Sequence, residues 1–375
     1  MRQNLIRSCY QQFFKEVILK KNKILAINPG STSTKIAVYE DEKELFETTL
    51  HHSNEIIGQY SNIYSQKNFR KELILDVLRE NKIEINSLEI IMGRGGLLKP
   101  ISGGIYLVNS RMLEDLKSGI FGEHASNLGG IIAFEIATEI GKKAYIIDPV
   151  VVDEMLNVAK VTGHKLLERK SIFHALNQKA VARKYCDENK VNYSSSNLIV
   201  AHLGGGVSVG MHSNGRVIDV NNALDGCGPF SPERTGSLPV GDLIKICFSG
   251  KYSENEMKKM IVGNGGIVSY LNTNNTREVI AMSENGNKEA KLIIEAFIYQ
   301  VAKEIGSLAT IVDGKIDQIL LTGGIAYSNL IINNIRKKIE FISKVSVYPG
   351  ENEMSALALG GFRIVTEKEK SKEYK

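Results

Sequence analysis

The chain of 375 residues is 43% hydrophobic and 24% charged, which fits a globular protein of about two domains and excludes disorder over most of its length. No apolar run approaches the ~20 residues that cross a bilayer, so an integral helical membrane protein is excluded as well. The net charge of +5 resides in residues 1–23, with six basic side chains and one acid; the rest balances at 41 against 41, leaving no basic stripe for a nucleic acid.

That N-terminal stretch reads either as a targeting peptide, being basic, acid-poor and mildly amphipathic, or as a solvated or misassigned start before the first strand. It lacks the apolar core and small-residue cleavage site of a secretory signal, so export is not expected. Cys9, Cys186, Cys227 and Cys247 form no CxxC pair and no metal-ligand spacing, as in a reducing cytoplasm, and read as small buried or half-buried apolar side chains.

In chain order, residues 23–27 and 35–39 read as strands around the turn Asn28-Pro29-Gly30-Ser31. Residues 69–80 have helical spacing with Leu73, Ile74, Val77 and Leu78 on one face. A strand at 88–92 runs into Gly93-Arg94-Gly95-Gly96, followed by a helix at 127–140, a strand at 144–147 and a helix at 172–186. The second half begins with a strand at 197–203, then Gly204-Gly205-Gly206 and a strand at 207–211. Asn214-Gly215 signals a hairpin into a strand at 216–220. A long helix at about 288–311, a strand at 318–321, Thr322-Gly323-Gly324, a strand at 344–348 and a helix at about 352–366 complete the pattern. Residues 367–375 alternate Lys and Glu and read as a solvated tail.

This alternation predicts an α/β architecture. Residues 25–31 and 199–205 are both an apolar strand entering a glycine turn, offset by 174 residues, with only Gly30 and Gly204 identical. Two such units opening two similar halves predict related domains facing each other across a cleft, where small-molecule sites form.

Residues 28–35, Asn28-Pro29-Gly30-Ser31-Thr32-Ser33-Thr34-Lys35, place a glycine, four hydroxyls and a lysine directly after a strand. Backbone and hydroxyl donors with one cation suit phosphate oxygens, although an ordinary polar turn would look the same. Gly204, Gly205 and Gly206 form a second such loop, and Thr322, Gly323 and Gly324 a third, against which an adenosine could lie. Neither GxxxxGK[ST] nor GxGxxG occurs. Arg94 and Arg234, each bracketed by glycines or turn residues, have little local packing role and a fork suited to carboxylate or phosphate. His174 and His202 are the histidines placed at element ends; a core or capping role is the plainer alternative for a lone histidine. Asp148, Asp153, Glu351 and Glu353 are candidate magnesium ligands, since Mg²⁺ takes one or two carboxylates plus phosphate oxygens and water.

Taken together, residues 28–35, 93–99, 148–155, 202–206, 322–324 and 349–354 resemble the acetate kinase family, and its butyrate branch in particular, within the group sharing the actin, sugar kinase and Hsp70 ATPase fold. The resemblance runs from about residue 24 to 365. It implies two duplicated actin-like ATPase domains (ribonuclease H-like, with five-stranded sheets) and ATP in the cleft between them. The implied division is an extension at 1–23, a first domain at 24–150 plus 355–375, and a second at 151–354.

The implied activity is reversible transfer of the ATP γ-phosphoryl group to butyrate, giving butanoyl phosphate and ADP, with isobutyrate or another short-chain acid as the alternative acceptor. By position, Asn28, Ser31, Ser33 and Lys35 match the first phosphate motif, His202, Gly204, Gly205 and Gly206 the second, and Thr322, Gly323 and Gly324 the adenosine motif. Arg94 and Arg234 match the two active-site arginines and His174 the histidine contacting the transferring group. Asp153 and one of Glu351 or Glu353 match the acids linked to Mg²⁺. A cytoplasmic homo-oligomer binding small molecules, without nucleic acid or membrane, is expected. The branch lacks the histidine that acetate kinases carry beside the first arginine, and Pro232-Glu233-Arg234-Thr235-Gly236 replaces their Gly-Thr-Arg-Ser-Gly. The competing classes are a sugar or polyol kinase on the same fold, which would need a carboxylate base, and a nucleotide-dependent clamp or filament.

Overall fold

A computed structural model describes residues 21–375, so Cys9 and nearly all of the basic N-terminal stretch lie outside the described residues. The first strand, β1 (Lys23–Pro29), is apolar on both faces and buried along nearly all its length, as a central strand covered by helices must be. It pairs antiparallel with β2 (Ser33–Glu40), which pairs antiparallel with the exposed edge strand β3 (Lys43–His51). On its other side β1 pairs parallel with β4 (Leu88–Arg94), and β4 with β6 (Lys143–Ile147).

The second half repeats this wiring. β7 (Asn197–Leu203) pairs antiparallel with β8 (Val207–Ser213), which continues into β9 (Arg216–Val220). Both Asn214 and Gly215 have positive φ, the backbone a two-residue hairpin needs. β10 (Gln318–Gly323) lies parallel to β7, and β11 (Val345–Pro349) parallel to β10. The orders β6-β4-β1-β2-β3 and β11-β10-β7-β8-β9 are the same topology, so the internal correspondence legible at Gly30 and Gly204 is a correspondence of whole sheets.

Two expectations are corrected. The first sheet has seven strands rather than five, because β5 (Ile105–Leu107) and β12 (Lys372–Glu373) extend it beyond β6. The C-terminal residues are therefore not a free tail. Tyr374 is 1% exposed, and its hydroxyl donates to Asp115 Oδ2 at 2.7 Å. One aromatic ring in a run of Lys and Glu outweighs the solvation of its neighbours, whose charges stay at the surface. Tyr374→Ala is expected to destabilise the protein by about 2–4 kcal/mol, because it empties that slot and leaves the buried Asp115 carboxylate to Arg111 alone; urea unfolding measures it.

Helices cover both faces. α1 (Lys67–Glu80), α2 (Ser110–Ser118) and α3 (Asn127–Glu139) pack one face of the first sheet through Ile74, Leu78, Met112 and Ile132. α4 (Ala175–Asn189) covers one face of the second sheet through Val181 and Ala182. α5 (Thr276–Glu284), α6 (Lys288–Ala309) and α7 (Asn329–Ile339) cover the other face through Phe297, Val301 and Ile335. α8 (Glu353–Val365) returns to the first sheet, placing Met354 and Leu357 against Ile24 and Met92, and also contacts α4. The pair α4 and α8 thus joins the two sheets, and the ends of β1, β4, β7 and β10 meet around it. Of the three described cysteines, Cys186 is buried and Cys227 half-buried as expected, whereas Cys247 is exposed.

Candidate active site

The turn after β1 is held from beneath by a residue that sequence reasoning passed over. Arg70 on α1 has no exposed surface; its guanidinium donates to the carbonyls of Gly30 (2.8 Å), Ser33 (2.8 Å) and Ser31 (3.1 Å) and to Thr34 Oγ1 (3.0 Å). Gln66 Oε1 accepts from Arg70 Nε at 3.2 Å and Nη2 at 2.8 Å. With the carbonyls pinned inward, the amides and hydroxyls of the turn are left for an anion. The available signal was position: Arg70 is in register with Ile74 and Leu78 on the buried face, where an arginine has a purpose. Lys35 on β2 sits 3.4 Å from Glu47 at the surface.

Asn28, at the end of β1, and Arg94, at the end of β4, meet Glu353 at the start of α8. Glu353 Oε2 accepts from Asn28 Nδ2 at 2.6 Å and Arg94 Nη1 at 2.9 Å, and Arg94 Nη1 also donates to Asn28 Oδ1 at 3.1 Å. The structure therefore brings together three predicted residues spread over 325 positions of the chain. It separates Asp153, whose carboxylate accepts from Lys160 Nζ at 2.6 Å and from the Met155 amide. Asp148 is likewise engaged, with Arg183 at 2.9 Å and the Gly104 amide at 2.7 Å; although burial works against its charge, these partners hold its carboxyl below the usual carboxylate range. Glu351 titrates above its usual value, chiefly through lost solvation and then through Glu353. No three His, Cys, Asp or Glu side chains converge at metal-holding distance among the described residues.

The second half supplies the opposite wall. Gly206 has a specific steric purpose: a Cβ there would run into the Arg234 guanidinium and crowd His174. Arg234 Nη1 donates to the Ala223 carbonyl at 2.7 Å, while its Nε is enclosed with no partner among the described residues. Ser231 Oγ donates to the Gly205 carbonyl at 2.7 Å, fixing the Arg234 segment to the glycine loop. His174 and His202 stack with ring centroids 3.8 Å apart and planes 12° apart. Thr322 is fully buried, its hydroxyl donating to the Gly350 carbonyl at 3.1 Å; of the third motif it is Gly324 that reaches a cavity.

The two arginines converge on His174: a Cβ on Gly206 would meet both Arg234 and His174, and Arg94 lines a small hollow together with His174. Burial lowers the pKa of His124, His174 and His202, that of His202 to about 3, and the charges of Arg94 and Arg234 push all three further in the same direction. The histidines are therefore neutral at physiological pH and the arginines carry the positive charge. His124 is a second residue the sequence did not point to, a lone histidine in a loop before α3.

Beside this hollow lies a cavity of about 420 Å³, bordered by Gly204, Gly205, Pro232, Arg277, Gly324 and Glu351. It joins the second and third glycine loops. A larger cavity of about 760 Å³ lies across α4, among Arg183, Glu188, Tyr193 and Arg363, and none of the predicted phosphate- or adenosine-binding residues borders it.

Comparison with known proteins places the chain in a family and its fold among solved structures. The sequence model described as the acetokinase family matches residues 154–372. Butyrate kinase 2 of Clostridium acetobutylicum is 57% identical over 355 residues, covering 95% of this chain and 100% of that protein. A probable butyrate kinase of Clostridium botulinum is 57% identical over 352 residues, covering 94% and 99%. Among solved structures, a propionate kinase from Francisella tularensis aligns with TM-score 0.71 at 21% identity, covering 90% of this chain and 98% of that one. The acetate kinase of Porphyromonas gingivalis aligns with TM-score 0.72 at 17% identity, covering 89% and 98%; at such identities the likeness is one of fold.

Proposed function

This chain belongs to the acetokinase family, and on that premise we propose that it transfers the γ-phosphoryl group of ATP reversibly to butyrate, forming butanoyl phosphate and ADP. The observation that carries this reading is the approach of Arg234 and Arg94 to His174 from the two halves, beside a cavity flanked by two glycine loops. A carboxylic acid with a pKa near ~4 is already ionised at neutral pH, so the acceptor needs no general base. The chemical difficulty is bringing two anions together, and two fixed guanidinium groups offset that repulsion and the charge on the equatorial oxygens.

The residues take the following proposed roles. Ser31, Ser33, Lys35 and the Gly204–Gly206 backbone hold phosphate oxygens, and Gly324 borders the adenosine. Arg94 and Arg234 clamp the reacting groups, with His174 and His202 between them. Glu351, Glu353 and Asp153 are the carboxylates proposed for a divalent cation; Glu353 is paired with Arg94 and Asp153 with Lys160, so Glu351, which resists ionisation, is the one not already held by a cation. Bound Mg²⁺ would neutralise phosphate charge there. Domains at 24–150 plus 355–375 and at 151–354, a homo-oligomeric state and a cytoplasmic location belong to the same proposal; no helix among the described residues is long and apolar enough to cross a membrane.

A hydroxyl-phosphorylating kinase is disfavoured, because Asp148 is held ionised by Arg183 and makes a poor base, and Asp153 is paired with Lys160. The test is a hydroxylamine trap with ATP, Mg²⁺ and acetate, propionate, butyrate, isobutyrate and valerate. Hydroxamate should be greatest with butyrate; a maximum at isobutyrate moves the acceptor to the branched acid. No signal with any C3–C5 acid overturns the proposal, and glycerol- or hexose-dependent ADP release replaces it.

A further inference from the structure

Behind His174 runs a buried chain of hydrogen bonds whose direction can be deduced from one fixed end. Gln178 on α4 has no exposed surface, and its Nε2 lies 3.0 Å from the Ser208 carbonyl oxygen and 2.8 Å from Ser208 Oγ. A carbonyl only accepts, so the nitrogen of the amide must face Ser208 and Oε1 must face the other way. There Oε1 meets His212 Nε2 at 3.0 Å. His212 is held neutral by burial and by the charges of Lys179 and Arg183, so its Nε2 carries the proton and its Nδ1 accepts from the Tyr193 hydroxyl at 2.8 Å.

At the other end, Ser208 Oγ accepts from Gln178 and also lies 3.4 Å from the His174 backbone N–H. Its own proton is thus directed to His174 Nδ1, 2.9 Å away. A neutral imidazole that accepts at Nδ1 carries its proton at Nε2. Every donor from Tyr193 to His174 points one way, and the series ends in an N–H with no partner among the described residues.

The stacked neighbour has the opposite polarity for an equally definite reason. Asn177 Nδ2 donates to the Glu351 carbonyl at 2.7 Å, so Asn177 Oδ1 accepts from His202 Nδ1 at 2.7 Å, and His202 Nε2 is left as a lone pair. Adjacent rings of the same residue type therefore present a donor and an acceptor.

We propose that Gln178 and Ser208 are positioning residues that lock His174 in the neutral Nε2–H tautomer, so that it donates a hydrogen bond to an oxygen of the transferring phosphoryl group. The use of that hydrogen bond rests on the phosphoryl-transfer reading above. The other tautomer would turn a lone pair toward anionic oxygens and repel them. A neutral donor stabilises those oxygens without adding a third cation beside Arg94 and Arg234.

The test uses the full chain labelled with ¹⁵N-histidine, without ligand, at neutral pH, with the His174 signals identified by their loss in His174→Gln. Long-range ¹H–¹⁵N spectra should show His174 unprotonated at Nδ1 and protonated at Nε2, and His202 the reverse. A protonated Nδ1 on His174 overturns the lock. In the kinetic arm, Ser208→Ala should lower kcat by about ten- to a hundredfold with KM for butyrate changed less than about threefold. Full turnover in folded Ser208→Ala also overturns it. Should that variant not fold, Gln178→Met keeps the hydroxyl but removes its orientation; mixed His174 tautomers support the lock, and an unchanged spectrum removes Gln178 from it. Expected tautomers in a protein inactive with every acid tell against the phosphoryl-transfer reading, whereas active protein carrying the Nδ1–H ring tells against the lock alone.

Discussion

Arg234→Ala is expected to lower kcat by about three to five orders of magnitude, the range by which an arginine that stabilises a phosphoryl transition state accelerates transfer. The side chain is placed for that: one donor is used on Ala223, the loop carrying it is tied to Gly205, and a glycine at 206 clears space for the fork. Arg234→Lys should recover little, because a point charge cannot reproduce a bidentate contact. Arg94→Ala should fall in the same range with an added rise in KM, since it also leaves Glu353 with Asn28 alone. Gly206→Ala should lose activity in the same direction, because its methyl would displace the guanidinium. The measurement is steady-state hydroxamate formation with butyrate, alongside thermal unfolding to show that each variant is folded. Near-parental turnover in Arg234→Ala would remove that residue from the chemistry.

These expectations share one physical basis. The hollow is furnished with fixed cations and neutral hydrogen-bonding rings, and its carboxylates are engaged, as Glu353 is, or resist ionisation, as Glu351 does. Such a site suits reactants that arrive as anions and suits poorly any that must lose a proton. Its parts come from the ends of strands in two sheets joined by α4 and α8, so a small change in the angle between sheets would alter the spacing of Arg94 and Arg234.

The sheets were legible because their strands are short apolar runs ended by glycines, and the expected strands at 197–203 and 216–220 match β7 and β9. The turns after β1 and β7 were legible for the same reason, since glycine and hydroxyl residues directly follow a buried strand. Other features are invisible one residue at a time. Arg70 reads as a solvated helix residue until its register with Ile74 and Leu78 is considered. Tyr374 is masked by the Lys and Glu around it. His124, Gln178 and Ser208 lie in segments whose spacing carries no signal, and Gln178 and Ser208 meet only once α4 has packed onto β8. Asp153, a plausible acid by position, pairs with Lys160 seven residues on, a contact its place in the sequence does not announce.

Stability is expected to fall steeply as pH drops below about 6.5, through histidines buried in their neutral form. His52, His202 and His212 are 4%, 2% and 0% exposed, and burial is the first cause of depression in each. His52 is lowered to about 4 and His202 to about 3, with His212 well below its usual value. The unfolded chain therefore takes up these protons first, unfolding is favoured as protons are added, and above pH 7 nothing is lost. Each histidine contributes about 1.4 kcal/mol per pH unit below its unfolded value, so the three together cost roughly 4–6 kcal/mol by pH 5, a large share of a typical 5–15 kcal/mol. His52 ties this loss to the site. Arg70 donates to Thr34 Oγ1, which is hydrogen-bonded to His52 Nε2 at 2.9 Å, and His52 Nδ1 is enclosed without a partner among the described residues. A second proton on the ring would set a cation beside Arg70, under the turn after β1. Urea unfolding at pH 7.5, 6 and 5 should show the decline, and His52→Gln should flatten its slope by about one histidine's share. Equal unfolding free energies at pH 7.5 and 5 would mean that these rings are charged, or reach solvent, in the folded protein.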